Sequence, residues 1–141
     1  MRIDVAACAV SAFIVFGASA SMAVVDDGEP RAAAASEGGG ADAASLIERG
    51  AKLYVRKCGA CHSPDANRIG PRHEGVYGRK SGSVPDFRYT KALGALDIVW
   101  DEETLDEWLT NPSAMAPGTA MGFRVTDAEE RKAIIAYLKT L

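Results

Sequence analysis

The stretch Cys58-Gly59-Ala60-Cys61-His62 constrains this chain more than any other. It is a C-x-x-C-H run, the spacing of covalent haem attachment. Two cysteines three apart can each form a thioether to one vinyl group of the same porphyrin. A histidine directly after the second cysteine then lies under the iron as proximal ligand. Five residues alone leave two other readings open. A structural zinc site needs four ligands, usually from two such pairs. The chain has three cysteines and two histidines, and Cys8 falls in an N-terminal apolar stretch. Cys58, Cys61, His62 and a distant His73 make a poor tetrahedral set. A redox dithiol of the thioredoxin kind would follow a strand in a βαβ pattern. Here the segment before Cys58 reads as a helix.

The N-terminus reads as an export signal. Arg2 gives a weak positive start, diluted by Asp4. Val5 to Phe16 is apolar and free of charge, and Ala18-Ser19-Ala20 is a small-x-small cleavage site. Residues 1–20 are therefore expected to be a signal peptide. The apolar stretch extends, with small-residue interruptions, to Val25, so an uncleaved membrane anchor is the alternative. Residues 21–44 are rich in Ala, Gly and acidic side chains, with Pro30 and a Gly38-Gly39-Gly40 run. Nearly devoid of large apolar residues, they read as a flexible linker that buries no core.

The folded domain is expected over 45–141. It carries 14 Lys and Arg against 13 Asp and Glu, a net of +1, so the whole-chain charge of −3 comes largely from the N-terminal tail. No basic stripe is present, which argues against a nucleic-acid partner. Ser45 to Glu48 reads as a capping box opening a helix to about Lys57, with Ile47, Ala51, Tyr54 and Val55 on one face. Gly50 within it implies a close packing contact. Residues 63–84 read as irregular loop, and 90–96 as a short helix. Asp101 is expected to cap a helix that buries Leu105, Trp108 and Leu109, with Pro112 ending it. Thr126 to Glu129 reads as a second capping box, opening a terminal helix with Ile134, Ile135, Tyr137, Leu138 and Leu141 on its apolar face. The fold class is all-α: three main helices joined by long loops, which a buried haem would organise.

Over 46–141 the chain resembles the class I c-type cytochromes, and in particular the bacterial relatives of mitochondrial cytochrome c. The resemblance rests on motifs in order: Gly50-x-x-x-Tyr54, the C-x-x-C-H run, Ile69-Gly70-Pro71, Gly78-Arg79-Lys80-Ser81-Gly82, and Phe87-Arg88-Tyr89-Thr90. Trp100, Asn111-Pro112, Pro117-Gly118-Thr119-Ala120-Met121-Gly122-Phe123 and Ile134 to Leu138 complete the set. It implies the cytochrome c fold wrapped around one covalently bound haem c. It implies Cys58 and Cys61 as attachment points and His62 and Met121 as the two axial iron ligands, a soft thioether favouring Fe(II) and raising the potential. Pro71 would offer its carbonyl to the far nitrogen of His62. Arg79, Tyr89 and Trp100 would surround a buried propionate, and Thr119 would bond the other. Phe123 would sit near the exposed haem edge. Gly50 and Tyr54 would meet Ile134 and Tyr137 where the first and last helices cross.

The chain departs from the family pattern at several positions. His73 stands where an apolar residue is usual, and is read as a structural, hydrogen-bonded histidine. Trp108 replaces the tyrosine that hydrogen-bonds the Met sulfur, leaving that contact open. Leu93 replaces a common polar residue. Ser113, Ala114 and Ala120 replace docking lysines, with Lys57, Arg68, Arg72 and Arg124 as partial substitutes. The resemblance implies a monomeric one-electron carrier, not an enzyme. It would work in the periplasm between partners such as a cytochrome reductase complex and a terminal oxidase or periplasmic dehydrogenase, of a respiratory or photosynthetic chain. Two alternatives are a tethered haem subunit of a dehydrogenase or oxidase and a ligand-binding haem sensor with a labile distal ligand.

Overall fold

Helix α1 spans Glu37–Lys57 in a computed structural model that describes residues 37–141. The expected signal or anchor, and the linker up to residue 36, lie outside the described residues. α1 begins eight residues before the expected cap. Ala41, Ala43 and Ala44 favour helix, and the exposed residues 39–45 need no tertiary partner to stay in it. Ser45 is therefore interior to α1 and not its N-cap. Its hydroxyl donates back to the Asp42 carbonyl at 2.9 Å, and Glu48 pairs with Lys52 at 2.6 Å across one turn.

The buried stripe of α1 runs through Gly50, Leu53 and Tyr54, with Leu46 packed against the core. Val55, expected on this face, is 72% exposed. The apolar stripe is one residue out of phase with the expected one, and Leu53 takes the inward place.

Four further helices follow. α2 is Lys91–Gly94, capped by the Thr90 hydroxyl accepting from the Leu93 amide. α3 is Glu102–Thr110. Its Asp101 carboxylate accepts from the Thr104 amide while the Thr104 hydroxyl accepts from the Asp101 amide, a reciprocal cap. Leu105, Trp108 and Leu109 are buried as expected. Asn111 leaves helical geometry at φ −159° and ψ 86°, and Pro112 then opens the short α4, Pro112–Met115. α5 is Ala128–Leu138, and its cap is Asp127 bonding the Glu130 amide, one residue later than expected. The only paired extended backbone among the described residues is one bridge, Lys80 to Val99.

α1 and α5 cross at Gly50. A methyl group there would overlap the Ala133 carbonyl oxygen and lie 2.7 Å from its carbon and 2.9 Å from Tyr137 Cβ. Beside it the Tyr54 and Tyr137 rings pack at 5.2 Å. The expected crossing is present, with the Ala133 backbone as its nearest point. The segment between α4 and α5 is held by two ties. The Val125 amide donates to the Leu109 carbonyl at 2.8 Å. Arg131 grips the Asp106 carboxylate at 2.7 Å and donates to the Val125 and Thr126 carbonyls. Its side chain is 12% exposed. Arg131→Ala strands these acceptors and should cost about 2 kcal/mol, measurable by denaturant titration. That segment carries Met121, so the tie also bears on the site.

Candidate functional site

The core is built around a cleft. Trp100, Leu105, Trp108, Leu109, Ile134 and Leu138 belong to the buried cluster, and each also lines a cavity of about 580 Å³. All nine site residues expected from sequence line the same cavity: Cys58, Cys61, His62, Pro71, Arg79, Tyr89, Trp100, Thr119 and Met121. The size is that of a small-molecule or cofactor pocket.

The C-x-x-C-H run sits at the end of α1, where the chain turns. The Cys61 and His62 amides both donate to the Cys58 carbonyl, at 3.0 and 2.8 Å. Arg68 fastens the turn by donating to the Gly59 carbonyl at 2.5 Å. Cys58 is half-buried and Cys61 is exposed, and the two are not joined in a disulfide. Burial pushes the Cys58 thiol up to about 11, with Lys57 pulling it partly back and Cys61 adding to the rise. The carbonyl end of a helix also disfavours a thiolate. Redox dithiols need the opposite, a depressed nucleophile, so the dithiol reading gains nothing from the structure. Nor does the zinc reading: among the described residues no three His, Cys, Asp or Glu side chains gather around a common point.

His62 faces the cleft with its tautomer fixed. Its Nδ1 lies 2.8 Å from the Pro71 carbonyl. A carbonyl only accepts, so Nδ1 carries the hydrogen in the neutral ring and Nε2 keeps a free lone pair for a metal. Burial lowers the His62 pKa, a shift partly offset by that same bond, and so favours the neutral, ligating form. Gly70 closes in from the side. A Cβ there would come 2.5 Å from Nδ1 and 2.6 Å from Nε2 of His62, so only glycine lets this backbone pass the ring.

Met121 is half-buried on a loop and packs against the core. The Trp108 indole N–H donates to its sulfur at 3.1 Å, so the contact that sequence reasoning left open is made, by a different donor. Trp108 is itself held edge-on against Trp100, with centroids 5.4 Å apart. The Thr119 hydroxyl accepts from the Met121 amide at 3.4 Å. Met115, by contrast, does not line the cleft.

Arg79 donates to the Glu74 and Arg72 carbonyls at 2.5 and 3.0 Å, so the loop from 72 to 79 wraps its guanidinium. Tyr89 accepts from the Val84 amide at 3.2 Å. These two put polar groups in the cleft lining, where a buried carboxylate would need them. Phe123 is 47% exposed and lines the cleft, as do the basic side chains Arg56, Lys57, Lys80 and Arg88. Of the expected rim, Lys57 is engaged by Glu130 at 2.9 Å.

His73 was read as structural, and the structure gives it a partner that spacing did not reveal. Its ring stacks on His62 with centroids 4.1 Å apart and planes 18° apart. Its Nδ1 lies 3.1 Å from the Tyr54 hydroxyl. Burial, then the adjacent His62 and Arg79, push it down to about 3, so the ring is neutral.

The donor set fits a haem: two thiols three residues apart, an imidazole with a free Nε2, a thioether sulfur, and an apolar slot with one polar wall. The family model described as cytochrome c matches residues 47–141. The chain belongs to the cytochrome c family. A cytochrome c from Euglena viridis is 46% identical over 97 residues, covering 67% of this chain and 95% of its own. A cytochrome c2 from Afifella marina is 44% identical over 102 residues, covering 67% and 82%. A cytochrome c from Gibberella zeae is 42% identical over 97 residues, covering 66% and 92%. Family membership assigns this cytochrome a covalently bound haem c at Cys58 and Cys61 and makes it a monohaem electron carrier that works with redox protein partners. Its all-α architecture is that of the family.

Proposed function

We propose that this cytochrome is an exported carrier passing one electron at a time between a membrane-bound reductase complex and a terminal oxidase or periplasmic dehydrogenase. The observation that carries it is the Trp108–Met121 bond, since a sulfur held in the cleft by a buried indole is a fixed ligand and not a labile one. Cys58 and Cys61 would hold the haem, and His62 and Met121 would ligate its iron. Bound haem supplies one-electron redox chemistry between Fe(II) and Fe(III). The protein supplies the rest. Pro71 holds His62 Nδ1, Gly70 borders its ring, Trp108 holds the Met121 sulfur, and Arg79, Tyr89, Trp100 and Thr119 would surround the propionates. Two held ligands would limit rearrangement on electron transfer and would leave no position for a substrate. The exposed Phe123, with the basic side chains that line the cleft, offers the edge where a partner would dock. Export rests on the signal-like residues 1–20, and the periplasm is the proposed compartment.

The carrier and sensor readings separate on carbon monoxide. Addition to the reduced protein should leave the spectrum unchanged on the seconds timescale, whereas rapid, complete binding would establish an open or labile distal site. Trp108→Phe removes one donor to the sulfur. An N–H drawing density from a ligand disfavours Fe(III), so its loss should lower the potential. One hydrogen bond of about 1 kcal/mol corresponds to roughly 40 mV for a one-electron couple, readable in a redox titration.

A further inference from the structure

We propose that His73 is a positioning residue for the axial histidine: it holds the plane of the His62 imidazole by stacking on it, and Tyr54 holds His73 in turn. The inference rests on the reading of His62 as an iron ligand.

Three observations carry it. The two imidazoles are nearly parallel, 18° apart, at a centroid distance of 4.1 Å, the geometry of face contact and not of incidental packing. His73 is held at two points: its Nδ1 lies 3.1 Å from the Tyr54 hydroxyl, and the Tyr54 ring stands edge-on to it with centroids 5.6 Å apart. Tyr54 is itself fixed. It is 3% exposed and its ring lies against Tyr137 of α5 at 5.2 Å. A continuous line of rings thus runs from the α1–α5 crossing to the proximal ligand: Tyr137, Tyr54, His73, His62.

The bonds already described leave a gap that this line fills. The Pro71 carbonyl fixes the tautomer of His62 and one in-plane direction. The Gly70 backbone borders the ring at Nδ1 and Nε2, but neither contact is a flat partner, so the ring keeps a residual tilt about its Cβ–Cγ bond. A flat partner against the ring face resists that rotation. An aliphatic side chain at 73 would fill the same volume without a plane to match. The orientation of an axial imidazole sets how unpaired spin is distributed over a low-spin ferric haem. It is read directly in the paramagnetic shifts of the haem methyl protons.

The test is proton NMR of the oxidised holoprotein, with optical spectra alongside. His73→Leu should redistribute the four methyl resonances while the optical bands of His/Met ligation persist. His73→Phe restores a flat face and should return the pattern most of the way to wild type. An unchanged pattern in His73→Leu would overturn the proposal. If His73→Leu does not yield holoprotein, Tyr54→Phe decides: it keeps the ring and removes the hydroxyl, so an altered pattern supports the line of rings and an unaltered one contradicts it. A wild-type spectrum without low-spin His/Met bands would instead defeat the ligation reading beneath the proposal, a distinguishable result.

Discussion

Met121→Ala should turn a closed electron carrier into an open-site haem protein. The substitution removes the sulfur that Trp108 bonds and leaves only His62 to ligate strongly. Three changes are expected together. The weak far-red band of Met-to-Fe(III) ligation disappears. Carbon monoxide binds the reduced protein rapidly. The reduction potential falls by about a few tenths of a volt, a sizeable share of the roughly 0.8 V over which axial ligation spreads haem potentials. Met121→His offers a control. A second imidazole should keep the iron six-coordinate and block carbon monoxide, but still lower the potential, because the soft thioether that favours Fe(II) is gone. Met115→Ala should change none of the three, because Met115 lies off the cleft.

Gly50→Ala should be strongly destabilising although it adds a single carbon. Two effects oppose each other. Alanine is the better helix former by about 1 kcal/mol. Against this, the new methyl overlaps the Ala133 carbonyl oxygen and lies 2.9 Å from Tyr137 Cβ. The obstacle is backbone in mid-helix, which no rotamer change can relieve, so α1 and α5 must part. Overpacking of this kind costs about 3 kcal/mol, and the clash wins by about 2. For a domain of this size that lowers Tm by roughly 10 °C, measurable in a thermal melt of the holoprotein. The same crossing carries Tyr54, so the line of rings to His62 loosens with it. A melting temperature at or above wild type would show that the two helices separate at little cost.

The inward residues of α3 were legible because its apolar spacing is regular and its cap local; those of α5 were legible because Ile134, Ile135 and Leu138 are its large aliphatic residues. Asp101 and the break at Asn111-Pro112 are set within a few residues, and sequence shows them directly. The start of α1 was not legible. A Gly-rich and acidic run reads as linker by composition, yet Ala41 to Ala44 carry enough helix propensity to extend a helix already anchored at Leu53 and Tyr54. The phase of α1 was missed for a related reason. Val55 and Leu53 are both apolar, and only the position of α5 decides which of them faces inward.

That the site residues share one cavity was legible because haem attachment would fix the spacing of Cys58, Cys61 and His62, and the Pro-Gly-Thr turn would mark Met121. Contacts between side chains distant in sequence were not. Nothing local to Trp108 shows that its indole reaches the Met121 sulfur thirteen residues on. Nothing local to His73 shows that it lies flat on His62, because the loop that folds it back is held by bonds such as His73 N–H to the Ser63 carbonyl and Glu74 N–H to the Pro64 carbonyl.

The measurement that tests the account most directly is the optical spectrum of the purified protein, oxidised and reduced. Sharp c-type bands on reduction, and the weak far-red Met-to-Fe(III) band on oxidation, are the predicted result for His62 and Met121 holding the iron. A haem spectrum without the far-red band would contradict the assignment of Met121 and the fixed-ligand carrier built on it.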